Sequence, residues 1–256
     1  MKLKLVKPAQ GLSWVRQGVI ACRQQPFGFV GLLVMTAMAV VLLLGLPARV
    51  GAFLVVAAMP SIWMGFMLAT RRTLNGQRVT PDVMIEGLRG PDAPRRSLAL
   101  LGGAYVLATL LVLLLAQWLG PDPDELDAIM SSAKDAAEVM ADPLVIQDML
   151  IRMLLTIPVS LAFWHTPALI LWARVPVPKA LFFSAVATWR NLPAFIVYGA
   201  CWFGLMVLVA LMSRAVAAIV PEPLIASVFA VVAGMWVAAA FYASLYFTVV
   251  DCFDPN

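Results

Sequence analysis

Charge is scarce in this sequence, and histidine is almost missing. Only 12% of the 256 residues are Asp, Glu, Lys or Arg, against about a quarter in an ordinary soluble domain. His165 is the one histidine, and the three cysteines, Cys22, Cys201 and Cys252, keep no C-x-x-C or metal-type spacing. Each shortage excludes something. So little charge cannot clothe a water-exposed surface, which removes a soluble globule, and a chain this apolar is not disordered. Nucleic-acid binding needs a dense basic patch, not 18 Lys and Arg spread along the chain, so no nucleic-acid partner is expected. Scattered thiols cannot frame a disulfide scaffold and read as small unpaired hydrophobes.

Catalytic groups are equally thin. A lone histidine makes no metal pair, and H-E-x-x-H, G-x-S-x-G and phosphate-cradling glycine loops are all missing. Ser160 and His165 do not stand at i, i+4. The sequence therefore leads us to expect no enzyme, no metal and no cofactor.

What the chain has is apolar length. By count 62% of it is hydrophobic, and its mean hydropathy is +0.92. A helix needs about 20 apolar residues to cross the hydrocarbon core. Six stretches qualify: Phe27–Leu46, Val50–Thr70, Leu98–Leu119, Met153–Ala173, Leu192–Ser213 and Leu224–Val250, none holding Asp, Glu, Lys or Arg. Continuous runs without alternation select helices rather than barrel strands. The expected class is all-α: one polytopic membrane domain, 1–256, of six transmembrane helices plus short interfacial helices. The missing intramembrane carboxylates argue against a proton- or sodium-coupled pump. Phe27–Leu46 lies too far from the start and is too long for a cleavable leader, so it is expected to be a retained span.

Loop charges predict the orientation. Lys2, Lys4, Lys7, Arg16 and Arg23 precede the first span; Arg71, Arg72, Arg78, Arg89, Arg95 and Arg96 separate the second from the third; Arg174, Lys179 and Arg190 separate the fourth from the fifth. The positive-inside rule places these segments, and both termini, in the cytoplasm. The longest external loop, 120–152, is acidic, and Asp124 to Met140 reads as an amphipathic helix through Leu126, Ile129, Met130, Ala133, Ala137 and Met140. Asp124, Asp127 and Asp135 lack EF-hand spacing and its glycine, so they read as a solvated face and not as a Ca²⁺ site. Sorted this way, the formal net charge of +4 divides into +9 inside and −5 outside.

A threefold internal repeat is expected, with units 7–70, 78–173 and 174–250. Each opens on a basic residue and a proline, then a short helix, then an arginine heading an odd-numbered span: Lys7-Pro8 to Arg23, Arg78-Val79-Thr80-Pro81 to Arg95-Arg96, and Arg174-Val175-Pro176 to Arg190. The short helices are expected near Leu12–Gln24, Asp82–Leu88 and Lys179–Trp189, each beginning just after a proline, as helices favour. In the first, Leu12, Val15, Val19 and Cys22 share one face, so that it could lie in the headgroup plane with its arginines near anionic lipid. Small residues four apart, Ala57, Ser61, Gly65 and Ala69, then Ala226, Ala230, Gly234 and Ala238, are expected to pack span against span.

Two places stand out as candidate sites. His165, Thr166 and Pro167 lie inside the fourth span, where a polar residue is a functional candidate by default. Pro167 removes the hydrogen bond to the residue 163 carbonyl, so His165, Thr166 and that carbonyl could form a small intramembrane polar site; a neutral histidine bonded across a helix interface is the plainer expectation. Arg23, Arg95, Arg96, Arg190 and Asn191 sit at the cytoplasmic interface as candidate contacts to lipid phosphate, the alternative being simple snorkelling anchors.

Taken together, Gly11-Leu12-Ser13-Trp14-Val15, Gly65-Phe66-Met67, Thr166-Pro167-Ala168-Leu169, Lys179 to Ser184 with Trp189-Arg190-Asn191, and Phe241-Tyr242-Ala243-Ser244 with Tyr246-Phe247-Thr248 give the chain its likeness. Over nearly its whole length it resembles an uncharacterised proteobacterial family of six-span inner-membrane proteins. The resemblance implies architecture and location, and no activity. The expected function is a non-enzymatic envelope component acting through membrane lipids, anionic headgroups on the cytoplasmic face, or through a partner protein. The alternative is a permease or channel for an uncharged or amphipathic solute.

Overall fold

All six apolar runs are helical in the computed structural model, which describes residues 2–47, 49–132, 136–220 and 222–254. In chain order the elements are β1 (Lys2–Leu3), α1 (Gln10–Gln24), α2 (Pro26–Leu44), α3 (Val50–Leu74), α4 (Val83–Glu86), α5 (Arg95–Leu119), α6 (Pro123–Ser132), α7 (Ala136–Ala141), α8 (Pro143–Phe163), α9 (Thr166–Ala173), α10 (Val177–Arg190), α11 (Leu192–Ile219), α12 (Pro223–Cys252) and β2 (Phe253–Asp254). The spans are α2, α3, α5, α8 with α9, α11 and α12, and α3 is the most enclosed of them. Large side chains such as Leu107, Phe203 and Val231 lie exposed along the spans, as lipid-facing residues should.

Span ends run past the apolar stretches because the polar residues there are satisfied locally. α3 continues through Arg71 and Arg72 to Leu74, and Gly76, with φ of 70°, turns the chain out of it. The N–H of Gln77 bonds the Arg72 carbonyl and that of Gly76 the Thr73 carbonyl, a Schellman closure. Arg72 pairs with Asp82 at 2.7 Å and Glu86 at 2.6 Å, fastening the one-turn helix α4 beneath α3. The fourth span starts ten residues before the expected Met153: the Asp142 carboxylate caps the Leu144 N–H at 2.8 Å, Pro143 takes the first helical position, and Arg152 bonds Asp148 one turn back.

The short helices depart from expectation in two ways. The second, expected over Asp82–Leu88, is only Val83–Glu86. The first is not a surface helix. α1 wedges between α11 and α12, burying Gly11, Trp14, Val15, Gly18, Ala21 and Cys22 while Leu12 stays exposed. A Cβ on Gly11 would collide with the Ala194 carbonyl, and one on Gly18 with Ser244 and the Ala240 carbonyl. In lipid, where tails are as apolar as the core, such backbone approach is what holds helices together. The same logic corrects the α12 stripe. Gly234 meets open space, and Ala239, Ala240 and Ala243 are the buried small residues instead. On α3 the stripe does pack, with Gly65 against Met84 and the Ala57 carbonyl against Gly102 of α5.

The two ends of the chain meet. Lys2 pairs with Asp254 and Leu3 with Phe253 in a short antiparallel ladder, extended by the Lys4 N–H bonding the Cys252 carbonyl at 2.9 Å. Both termini therefore lie on one side of the bundle, with the ends of α3, α9 and α12. In the acidic loop, Pro123–Ser132 and Ala136–Ala141 are helical, and the expected helix's Ala133, Lys134 and Asp135 lie outside the described residues.

Candidate functional site

The fourth span breaks where Pro167 demands it. α8 ends at Phe163 and α9 starts at Thr166, and between them the His165 N–H leaves helical bonding. α10 repairs the gap from outside. The Ser184 hydroxyl accepts the His165 N–H at 2.9 Å and donates to the Leu161 carbonyl at 3.0 Å. Thr188, one turn on, donates to the Ser184 carbonyl at 2.9 Å. Freed backbone groups inside a membrane protein must find such partners. Neither Ser184 nor Thr188 was singled out above. Their signal was available: two hydroxyls four apart between the charged ends of α10, Lys179 and Arg190.

The His165 ring is fully buried, 0% exposed, edge-on to Phe195 at 5.7 Å and Phe253 at 5.3 Å. Its Nδ1 lies 3.4 Å from the Thr188 hydroxyl, whose own proton is engaged. The direction of that contact depends on the ring tautomer, and Nε2 is enclosed without a hydrogen-bond partner. The Thr248 backbone is the ring's other polar neighbour, short of bonding geometry. Thr166 does not join it. Its hydroxyl donates back to the Ala162 carbonyl at 2.6 Å. His165, Thr166 and Pro167 are thus contiguous and buried, with hydroxyls bonded to the Leu161 and Ala162 carbonyls of the preceding turn. The ring's side-chain polar neighbour is the Thr188 hydroxyl, across the interface with α10. Trp164 beside it donates to the Thr248 hydroxyl at 3.1 Å, tying the break to α12.

Of the expected phosphate contacts, Arg23, Arg96 and Arg190 have exposed side chains at the ends of α1, α5 and α10. Arg95 is exposed but partly committed: its Nε donates to the Leu88 carbonyl at 2.7 Å and another guanidinium N–H to Gly90 at 3.0 Å, holding the loop before α5. Asn191 is a correction. It is 1% exposed and cannot reach a headgroup. Its Oδ1 accepts the Val6 N–H at 2.8 Å, and its Nδ2 donates to the Lys4 and Ala187 carbonyls, each at 3.0 Å. Asn191 thereby clasps the N-terminal segment over the start of α11. A second clasp joins α1 to α12, where the Asp251 carboxylate accepts from Gln10 at 2.6 Å and from Trp14 Nε1 at 2.8 Å.

Among the described residues no three of His, Cys, Asp and Glu come together as metal ligands. Burial pushes the Cys22 thiol up to about 11, which favours its protonated form. Outside the spans, the Asp82 carboxyl is held well below the usual carboxylate range by Arg72 and by the Thr80 hydroxyl. Between α8, α11 and α12 runs a groove of about 520 Å³, from Arg152 past Ile157, Leu161 and Trp202 to Thr188. It is mostly apolar, and it stops one side chain short of His165.

No family model and no solved structure matches the chain. A probable inner membrane protein of the proteobacterium Burkholderia thailandensis is 35% identical to it over 276 aligned residues, spanning 99% of this chain and 94% of that protein. Likeness so close to full length covers the region of all six spans. The chain is an integral, multi-pass inner-membrane protein, and it belongs to the same family as that Burkholderia protein.

Proposed function

We propose that the protein is a non-enzymatic component of the bacterial inner membrane, with both termini in the cytoplasm, acting through anionic lipid headgroups or a partner protein on its terminal side. The observation that carries this reading is the set of exposed guanidiniums, Arg23, Arg96 and Arg190, which find no carboxylate among the described residues. They stand at span ends on the side where the termini meet. Such cations interact with anionic lipid at about 1 kcal/mol each near the surface. The fully buried His165, which touches no carboxylate, supports a structural rather than a catalytic role for the one histidine. The test replaces Arg23, Arg95, Arg96 and Arg190 together with Gln. Lipid co-purification and partner capture should fall, and unchanged values for both would defeat the reading. Reporter fusions after Asn75 should behave as cytoplasmic, and fusions after Asp135 as external.

A permease for an amphipathic solute is the second reading, favoured by the apolar groove from Arg152 to Thr188. Gly199 lines that groove with nothing packed against it. Solute flux in vesicles that a Gly199→Trp plug abolishes would establish transport over the first reading.

A further inference from the structure

A second groove, of about 460 Å³, lies where α3, α9 and α12 end together, lined by Arg71, Trp172, Tyr246, Val249, Val250 and Phe253. Its size falls within the range of small-molecule sites, roughly 300–1,000 Å³. Apart from Arg71 its lining is aromatic or aliphatic. Arg71 and Val250 are its exposed members, and the Arg71 guanidinium stands 6.0 Å above the Trp172 ring.

The charge arrangement here is lopsided. Arg72, the next residue, takes both nearby acids, Asp82 and Glu86, and Arg89 also approaches Asp82. Asp251, the acid adjoining Val250, is turned to Gln10 and Trp14 of α1. Among the described residues no carboxylate pairs with Arg71. Trp172 floors that end of the groove with its ring face under the guanidinium, its own Nε1–H enclosed. An unpaired guanidinium thus stands at the charged end of an apolar groove, at the depth where a membrane helix meets headgroups. We infer that this groove binds one anionic phospholipid, with its phosphate on Arg71 and an acyl chain along Tyr246, Val249 and Val250. The proposal rests on the lipid reading above and names its binding place.

The test uses the full chain, purified in mild detergent and followed by native mass spectrometry. It is offered phosphatidylglycerol or phosphatidylethanolamine with identical acyl chains, with and without inorganic phosphate. The wild-type chain should retain one phosphatidylglycerol in preference. Arg71→Gln should cut that retention about tenfold, the scale of one charge-assisted hydrogen bond, and Arg71→Lys should keep part of it. Val250→Trp, on an exposed position, should expel either lipid by filling the groove, and Arg214→Gln, exposed near the far end of α11, should leave retention unchanged. Full retention in Arg71→Gln, equal retention of the two lipids, or displacement of phosphatidylglycerol by inorganic phosphate would each overturn the site. If the fourfold arginine variant loses bulk lipid while Arg71→Gln keeps its bound molecule, the general reading survives and this site falls.

Discussion

Replacing Asn191 with Ala should open the terminal clasp without unfolding the bundle. The side chain does not cap α11, so no helix-start contribution is lost with it. What is lost is the pair of bonds crossing to the N-terminal segment, from the Val6 N–H at 2.8 Å and to the Lys4 carbonyl at 3.0 Å. The Ala187 carbonyl keeps the backbone N–H of residue 191 as a donor, so little is forfeited there. At roughly 0.5–1.5 kcal/mol net per bond, the clasp weakens by about 1–3 kcal/mol. Since 1.4 kcal/mol is tenfold, local opening should rise by about 5- to 150-fold. Cys252, buried under the clasp with its sulfur 3.5 Å from Asn191 Nδ2, reports that opening, and buried Cys22 in α1 is the internal reference. Pulsed maleimide labelling, read peptide by peptide, should show Cys252 accelerated and Cys22 unchanged. Unchanged Cys252 labelling, or equal acceleration of both thiols, would refute the reasoning.

Other consequences follow from the packing. Gly18→Ala drives a Cβ into Ser244 and the Ala240 carbonyl and should lower the detergent melting temperature, at a cost of about 1–3 kcal/mol, whereas Gly103→Ala, which meets open space, should be neutral or stabilising by up to about 1 kcal/mol. Ser184→Ala leaves the His165 N–H unmet and the Leu161 carbonyl with only the Thr188 hydroxyl at 3.4 Å, and should destabilise by about 1–3 kcal/mol; hydrogen exchange at His165 should rise, and an unaltered rate would contradict the repair role. Asp82 titrates lower folded than unfolded. The stability it lends is therefore present above an ordinary carboxylate pKa, near 3.9, and is lost as pH falls through the lowered folded value. Amides of α4 should begin to exchange faster on acidification through that window, and Asp82→Asn should abolish the acid-side dependence.

The spans were legible because one property, unbroken apolar length, decides them. Their ends were not, because Arg72 and Arg152 remain helical only through partners, Asp82, Glu86 and Asp148, that no apolar run announces. The buried face of α1 was misplaced for a related reason. Its key positions, Gly11 and Gly18, carry no side chain for a periodicity to register, so Leu12 looked more like core than they did. At the candidate site, His165 and Pro167 marked the break correctly, but the hydroxyls that close it come from α10. Asn191 beside Arg190 looked like an interfacial contact, and only the return of residues 4–6 over α11 shows its actual employment. The groove at Arg71 joins three span ends that are distant in sequence.

The meeting of Leu3 with Phe253 also bears on how the molecule is made. These partners are 250 residues apart, so the ladder closes the longest loop the fold contains. Loop closure of that length costs only slightly more than a short one, but it cannot occur until residue 253 has emerged. During insertion the spans enter the bilayer one after another while residues 2–6 wait without their partners. The wedge of α1 waits with them, since its seat, Ala240 to Asp251, is also made late. A nascent chain stalled before α12 should therefore hold its N-terminal segment open to protease, and completion of α12 is the event that shuts it.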